Sequence, residues 1–581
     1  MAAAGGTRLV LLTAALACAG LLACGGHREP VVIISLAQVP TPNVAAAIPS
    51  ATSTAPETRS ATIPVAFAED VPQSLLERPS VRALRVTEAA PAVLVSRAGP
   101  GQGFAALYWI PATALFNDAT ALSLVEVGQI LRGELTDWKQ VAASPAPVTV
   151  SLPVEHAAEL RLLLGEAVDR SATANLDSGP TVAPPVARWR PEAEILSTIG
   201  LERGAFTLLP LEDVDYRERS LALGGVDLLR GTGDVSLYPL ATRLSAAAAS
   251  NKSSVGDVAA VQIALSAALP APERLLATGD IIPARCVYAK QKQYNDYRHA
   301  FLEVAGTLHT ADLAIGSLDA SISDKGVPVG CRETLSLMAP AESIQGLTFA
   351  GISLLTVAAN HAKDCGEQAC GDAAFLDTLE RLDAAGIAHT GGGKTLAAAR
   401  AATVLNVKGI RFAFLGYNDI GSAYYGAGEK SPGTAPLDLK TLDGDVRAAH
   451  AQADVVIVMV HWGTEYTPDP TDRQRAAARI AVAAGASLVI GNHPHVVQAV
   501  EVLPGGFAAY ALGNFVFDQD WSQETLEGVV METVFDGTRL RQVSFLPLRI
   551  QDMHQPHFVT QVQGRPILNR MLQASLKLAA P

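Results

Sequence analysis

The sequence is short of several things, and each shortage excludes a class of protein. Only 17% of its 581 residues are charged and 5% are aromatic. Basic residues are outnumbered, 44 Lys and Arg against 57 Asp and Glu, for a formal charge of −13. A nucleic-acid binder shows a basic face, so this balance argues against one. It also gives no general attraction to an anionic membrane surface. An acidic surface still admits a phosphate- or carboxylate-bearing substrate where a metal ion supplies the positive charge. The apolar run Leu9–Ala23, preceded by the lone charge Arg8, is short for a spanning helix and suits the core of a signal peptide. Cysteines number six. Cys18 and Cys24 fall in that N-terminal run, and Cys286, Cys331, Cys365 and Cys370 in the second half. In an exported chain those four read as two disulfides, a local Cys365–Cys370 bridge and the remaining Cys286–Cys331 pair. The alternative, a soft-metal site, lacks a second closely spaced pair.

What is present is organised in segments. A chain of this length holds two or more globular units. Leu21-Leu22-Ala23-Cys24 resembles a bacterial lipobox, which makes Cys24 the lipidated first residue of a membrane-anchored lipoprotein; the alternative is a plain secretory signal. Either way the mature chain is extracytoplasmic. Residues 25–64 read as a Pro/Ala/Ser/Thr-rich linker. Residues 65–256 read as an α/β unit. Within it, Ser123 caps a helix with apolar residues at Leu124, Val127, Ile130 and Leu131, Gly133 ends the helix, and Trp138 packs back. That segment resembles phosphate-type periplasmic solute-binding proteins. Gly231 to Asp234 read as a turn, and 251–256 as a connector. Residues 270–550 read as a second α/β unit, with 551–581 as a C-terminal extension carrying a helix from Pro566.

The second unit repeats one pattern: a buried apolar strand ending in a residue able to bind a metal. Val455–Val460 ends at His461, and Ser487–Ile490 ends in Gly491-Asn492-His493-Pro494-His495. In open α/β sheets the chemistry lies beyond the carboxyl ends of strands. His461, His493 and His495 would converge there as neutral imidazole ligands. The same reading gives Asp280 at the end of Arg274–Asp280, Asp319 after Leu313–Ile315, and Asn360-His361 after Leu354–Ala358. Asp364 orients His361 or caps the helix that follows, and Arg285 binds an anionic substrate group. Each residue taken alone is equally well read as an ordinary turn or core residue.

Taken in order, Thr278-Gly279-Asp280, Ala359-Asn360-His361, His461-Trp462-Gly463-Thr464-Glu465-Tyr466, Gly491-Asn492-His493-Pro494-His495 and Tyr510 to Phe515 resemble the CapA (PgsA) capsule-synthesis family, linked to poly-γ-glutamate. The resemblance covers about Pro272–Pro547. It implies a calcineurin-like metallophosphatase fold, a four-layer αββα sandwich with two divalent ions (Mn, Fe, Zn or Mg). The metal ligands it implies are Asp280, Asp319, Asn360, His461, His493 and His495, with His361 as the catalytic histidine; Arg285 and Asp364 join it in catalysis on the reading of the residues given above. Two positions depart from the family. Ser317-Leu318-Asp319 stands where Asn-Leu-Glu is usual, and Ala359 where Asn is frequent. The shorter carboxylate puts the bridging role of Asp319 in doubt. The implied function is a metal-dependent hydrolase or processing factor for an anionic polymer or phosphoester, working with other capsule-synthesis proteins. The alternative is a non-catalytic envelope binding protein with a structural metal site.

Overall fold

The computed structural model describes residues 63–68, 71, 84–86, 91–99, 102–165, 187–249, 254–332 and 334–579. The signal and lipobox residues and nearly all of the linker fall outside these. Residues 62–581 form one compact unit. Among the described residues no helix is long and apolar enough to cross a membrane.

The N-terminal region is built on a mixed sheet that includes Val93–Arg97, Phe104–Thr113, Thr149–Pro153, Ala205–Pro210 and Ala241–Ala248. Its helix Leu124–Leu131 starts as the sequence indicates. The Ser123 hydroxyl accepts from the Glu126 N–H, and Glu126 returns a bond to the Ser123 N–H. Gly133, at φ 70°, takes the left-handed turn after the helix, and buried Trp138 donates to the Gly204 carbonyl. Of the connector placed at 251–256, residues 251–253 lie outside the described residues, and its last two begin a helix, Val255–Leu265, capped reciprocally by Ser254 and Asp257. Ser and Asp three residues apart were its signal.

The C-terminal region is a sandwich of two sheets. Its strands are β1 (Pro272–Ile281), β2 (Leu313–Leu318), β3 (Leu354–Thr356), β4 (Ala388–Thr390), β5 (Thr403–Val407), β6 (Ile410–Asn418), β7 (Val455–His461), β8 (Leu488–Asn492), β9 (Val500–Leu503), β10 (Gly506–Ala509), β11 (Asn514–Val516), β12 (Glu527–Asp536), β13 (Arg539–Gln551) and β14 (Gln555–Phe558). The first sheet runs β4-β3-β2-β1-β12-β13-β14, with β11 also paired to β1; the second runs β5-β6-β7-β8-β10-β9. β1 to β4 are mutually parallel, as are β6, β7, β8 and β10.

Alternation along each strand explains the layers. Leu275, Ala277, Leu313, Ile315 and Leu354 of the first sheet share one core with Phe412, Phe414, Val455, Ile457, Met459, Leu488 and Ile490 of the second. The intervening residues face outward. Leu276, Ala314 and Leu355 pack under helices α1 (Cys286–Tyr294), α2 (Ile344–Phe349) and α3 (Ala373–Ala384). Ala413, Val456, Val458 and Val489 pack under α4 (Leu439–His450) and α5 (Asp472–Ala483). The result is the expected α/β architecture, layered helix, sheet, sheet, helix.

Beyond residue 550, β14 pairs with β13 and α6 (Gln561–Ala579) buries Ile567, Met571 and Leu572 in the core between the sheets. The helix expected from Pro566 starts at Gln561, with the proline inside it. Both disulfides are present, Cys286–Cys331 and Cys365–Cys370.

Candidate metal centre at the strand ends

The carboxyl ends of β1, β2 and β3 meet those of β7 and β8 at one end of the sandwich. His461 ends β7 on the inner face, and its ring joins the two sheets. Its Nε2 lies 2.7 Å from Asn360 Oδ1 and 3.7 Å from Asp319 Oδ2; its Nδ1 lies 3.8 Å from Asp280 Oδ1. His495 Nδ1 is 3.7 Å from Asp280 Oδ2 and 2.9 Å from Asn514 Oδ1. The His461 and His493 rings stand 4.8 Å apart, centre to centre. The loop after β8 is bent hard to achieve this. His493 and His495 have φ of 96° and 60°, a conformation L-residues avoid and functional sites tolerate.

Asp280 reaches the site through a bulge. Leu275 and Ala277 face inward, so strict alternation would turn Asp280 outward. The β1–β2 register slips between Ala277 and Asp280, and Asp280 then pairs with inward-facing Ser317. Gly279 permits the slip, because a Cβ there would lie 1.9 Å from the Gly513 carbonyl oxygen.

Electrostatics prepare the site for a cation. Asp280 and Asp319 are fully buried, and their ion-pair partners are histidines. Burial pushes the Asp319 carboxyl up to about 6 against the pull of His361. Burial, and then the charge of Asp319, hold Asp280 well above the usual carboxylate range. Burial lowers the imidazoles: His493 to about 4 and His495 to about 3, with His461 well below its ordinary value. They are therefore neutral at physiological pH, the form that binds metal. Asp280 Oδ1, Asp319 Oδ2, His461 Nδ1 and His493 Nδ1 are buried without a hydrogen-bond partner. Inward carboxylates and neutral imidazoles with idle lone pairs fit a divalent cation.

His361 sits beside this set. Its N–H donates to Asp319 Oδ1 (3.2 Å), and its Nδ1 meets Asp364 Oδ2 at 2.7 Å. Burial opposes a proton on this ring, yet Asp319 and Asp364 together hold its pKa above the ordinary value. Asp364 thus orients His361, and it also accepts from the Leu337 N–H.

Arg285 is placed differently from the expectation. Its guanidinium grips Asp518 through Nε and Nη2 and donates through Nη1 to the Thr334 carbonyl, 2.8 Å away. Its charge is matched inside the protein, so it builds the wall of the site. Glu465 lies in the His461-Trp462-Gly463-Thr464-Glu465-Tyr466 motif, but the sequence alone assigns it no role. Its carboxylate and the His493 and His495 rings offer ligand atoms all within 4.8 Å of one another. Exposed Tyr466 and Trp521 pack edge to face beside it, with Tyr466 also against His495.

Residues 274–519 match the family model described as bacterial capsule synthesis protein PGA_cap. The match spans less than half of the chain. The capsule biosynthesis protein CapA of Bacillus anthracis is 32% identical over 282 residues, 47% of this chain and 66% of that protein. The PGA biosynthesis protein CapA of Bacillus subtilis is 32% identical over 246 residues, 42% of this chain and 63% of that protein. The chain therefore spans just under two thirds of the length of these relatives. Among solved structures, an ABC-type phosphate transport receptor from Vibrio cholerae aligns with 14% identity and a TM-score of 0.26, covering 35% of this chain and 93% of that one. The strand-end residues Asp280, Asp319, Asn360, His361, His461, His493 and His495 all fall inside the PGA_cap segment.

Proposed function

We propose that the chain is an extracytoplasmic, metal-dependent hydrolase or processing factor for an anionic polymer such as poly-γ-glutamate, or for a phosphoester, in capsule production. The observation that carries this is the set of buried, unpartnered carboxylate and imidazole atoms at the strand ends. The PGA_cap segment and its CapA relatives supply the capsule context. Lipidation at Cys24 would tether the chain to the membrane surface, in agreement with its two disulfides.

Asp280, Asp319, Asn360, His461, His493 and His495 would hold two divalent ions. When bound, such ions polarise a substrate oxygen and lower the pKa of a water. The chain's own residues do the rest. Asp364 takes up His361 Nδ1, which leaves Nε2 to face the leaving group. The Asp319 and Asp364 carboxylates favour a proton on this ring, which suits it to proton donation. The Arg285–Asp518 pair fixes the wall, and the neutral imidazoles give up no proton when they bind metal.

The test is elemental analysis of the soluble chain from Gly25, wild type and His493→Ala/His495→Ala. About two equivalents of metal in the wild type, lost in the variant, support the reading. Absence of metal after reconstitution with Mn or Zn sinks it. A second reading, a non-catalytic polymer-binding protein, is favoured by the shorter Asp319. It predicts that Asn360→Ala and His361→Ala leave polymer affinity intact.

A further inference from the structure

Asn492 ends β8 and is 1% exposed, yet neither its Oδ1 nor its Nδ2 has a hydrogen-bond partner. Burying an unpaired amide is costly, so a chain keeps one where a ligand or an ordered water will satisfy it. The direction of the side chain is fixed. Asn492 pairs in register with His461, and Leu488 and Ile490 of the same strand face the inner core. Gly491 faces the other way, where a Cβ would lie 1.9 Å from the Tyr510 carbonyl oxygen. The next residue, His493, donates its N–H to Asp280 Oδ2 at 3.1 Å. Asn492 therefore lies on the inner face at the end of β8, in register with His461 and next in sequence to the residue that binds Asp280. His461 Nδ1 and Asp280 Oδ1 are likewise buried without a hydrogen-bond partner.

Asn418 makes the contrast. It is the register neighbour of His461 on β6 and equally buried, but its amide is committed: Oδ1 accepts from the Ile420 N–H and Nδ2 donates to Thr434 Oγ1. Two asparagines flank one histidine, and only Asn492 keeps its donors and acceptor idle. An amide offers both kinds of group. A phosphate or carboxylate oxygen only accepts, and a cation would take only the oxygen. Water matches both.

We propose that Asn492 binds a water in the site, donating from Nδ2 and accepting at Oδ1, and that this is the water that attacks the substrate. The inference rests on the hydrolase reading. The water oxygen bonds the phosphorus or carbonyl carbon, and the leaving-group bond breaks with its electron pair. The leaving atom takes the proton from His361, and the proton released by the water restores it.

The test is Asn492→Leu, which removes the amide at nearly constant volume. Three quantities are compared with wild type: melting temperature in chelator, metal bound per chain, and hydrolysis of bis(p-nitrophenyl) phosphate with Mn(II). The proposal expects a melting temperature equal or higher, unchanged metal, and kcat at least tenfold lower with KM little changed. An unchanged kcat overturns it, whatever the stability. If the wild type does not cleave the diester, the hydrolase reading fails separately, and a crystal structure then decides about Asn492. A water within hydrogen-bond reach of both amide atoms supports the binding proposal, and an amide bonded to protein or left dry overturns it. The same crystallographic reading decides if stability and turnover fall together.

Discussion

Arg285 shows how a single residue can be legible in type and not in role. An arginine five positions after Asp280 points to an anion, and the anion it meets is Asp518. Removing one partner of a buried ion pair strands the other. Asp518→Ala is therefore expected to cost about 3–5 kcal/mol, read by urea denaturation; a loss below about 1 kcal/mol would show the pair to be dispensable. Asp364 gives a prediction in pH. Asp319 and Asp364 raise the pKa of His361. A general acid works while protonated, so activity falls as pH rises through that pKa. Asp364→Asn is expected to move the alkaline limb of the pH–rate profile to lower pH, and an unmoved limb would remove His361 as the acid. The histidines could be named from the sequence because each follows an apolar run. Glu465 could not, since its side chain is half exposed and nothing local separates it from a surface glutamate.

Secondary structure came through well, because β1, β7 and β8 are apolar runs and α3 and α5 are amphipathic. Two features did not. The bulge that turns Asp280 inward depends on the approach of Gly513, a residue more than two hundred positions away. The stretch 508–517 reads as one broken strand pair, yet its halves join different sheets: β10 pairs with β8, and β11 with β1. Local pattern records that a residue is buried, not which sheet buries it. Gly279→Ala tests the bulge. The added methyl overlaps the Gly513 carbonyl, so the melting temperature is expected to fall by several degrees and metal binding with it. Retention of both would mean that the slip does not need a glycine.

Across the whole molecule, the two regions are fastened by buried polar ties. Glu532 on β12 takes Arg230 of the N-terminal region (2.7 Å) and Arg274 of β1 (2.7 Å). Arg541 donates to the Val214 and Leu211 carbonyls, and Phe116 stacks on Phe545. Burial would raise the Glu532 carboxyl, but Arg230 and Arg274 outweigh it and bring the pKa down to about 2. A depressed folded pKa adds stability above the unfolded value near 4.5, and that stability is lost as pH falls toward 2. The tie is worth roughly 3 kcal/mol at neutral pH. Glu532→Gln is expected to lower stability at pH 7 and to flatten the acid limb between about pH 4.5 and 2. Equal acid limbs in the two proteins would exclude this carboxylate as the source. These ties were not legible, because neither partner carries a local sign of the other.

The position of β1 has a consequence for synthesis. β1 is made early in its sandwich, yet it lies between β2 and β12, so one of its neighbours begins only at Glu527. While the chain emerges, one edge of β1 stays open for the time needed to make some 250 further residues. Long-range pairing of this kind folds slowly and leaves strand edges available to other chains. A fragment cut at the ends of the family match, residues 274–519, would be held permanently in that half-finished state and is expected to aggregate where residues 62–581 stay soluble.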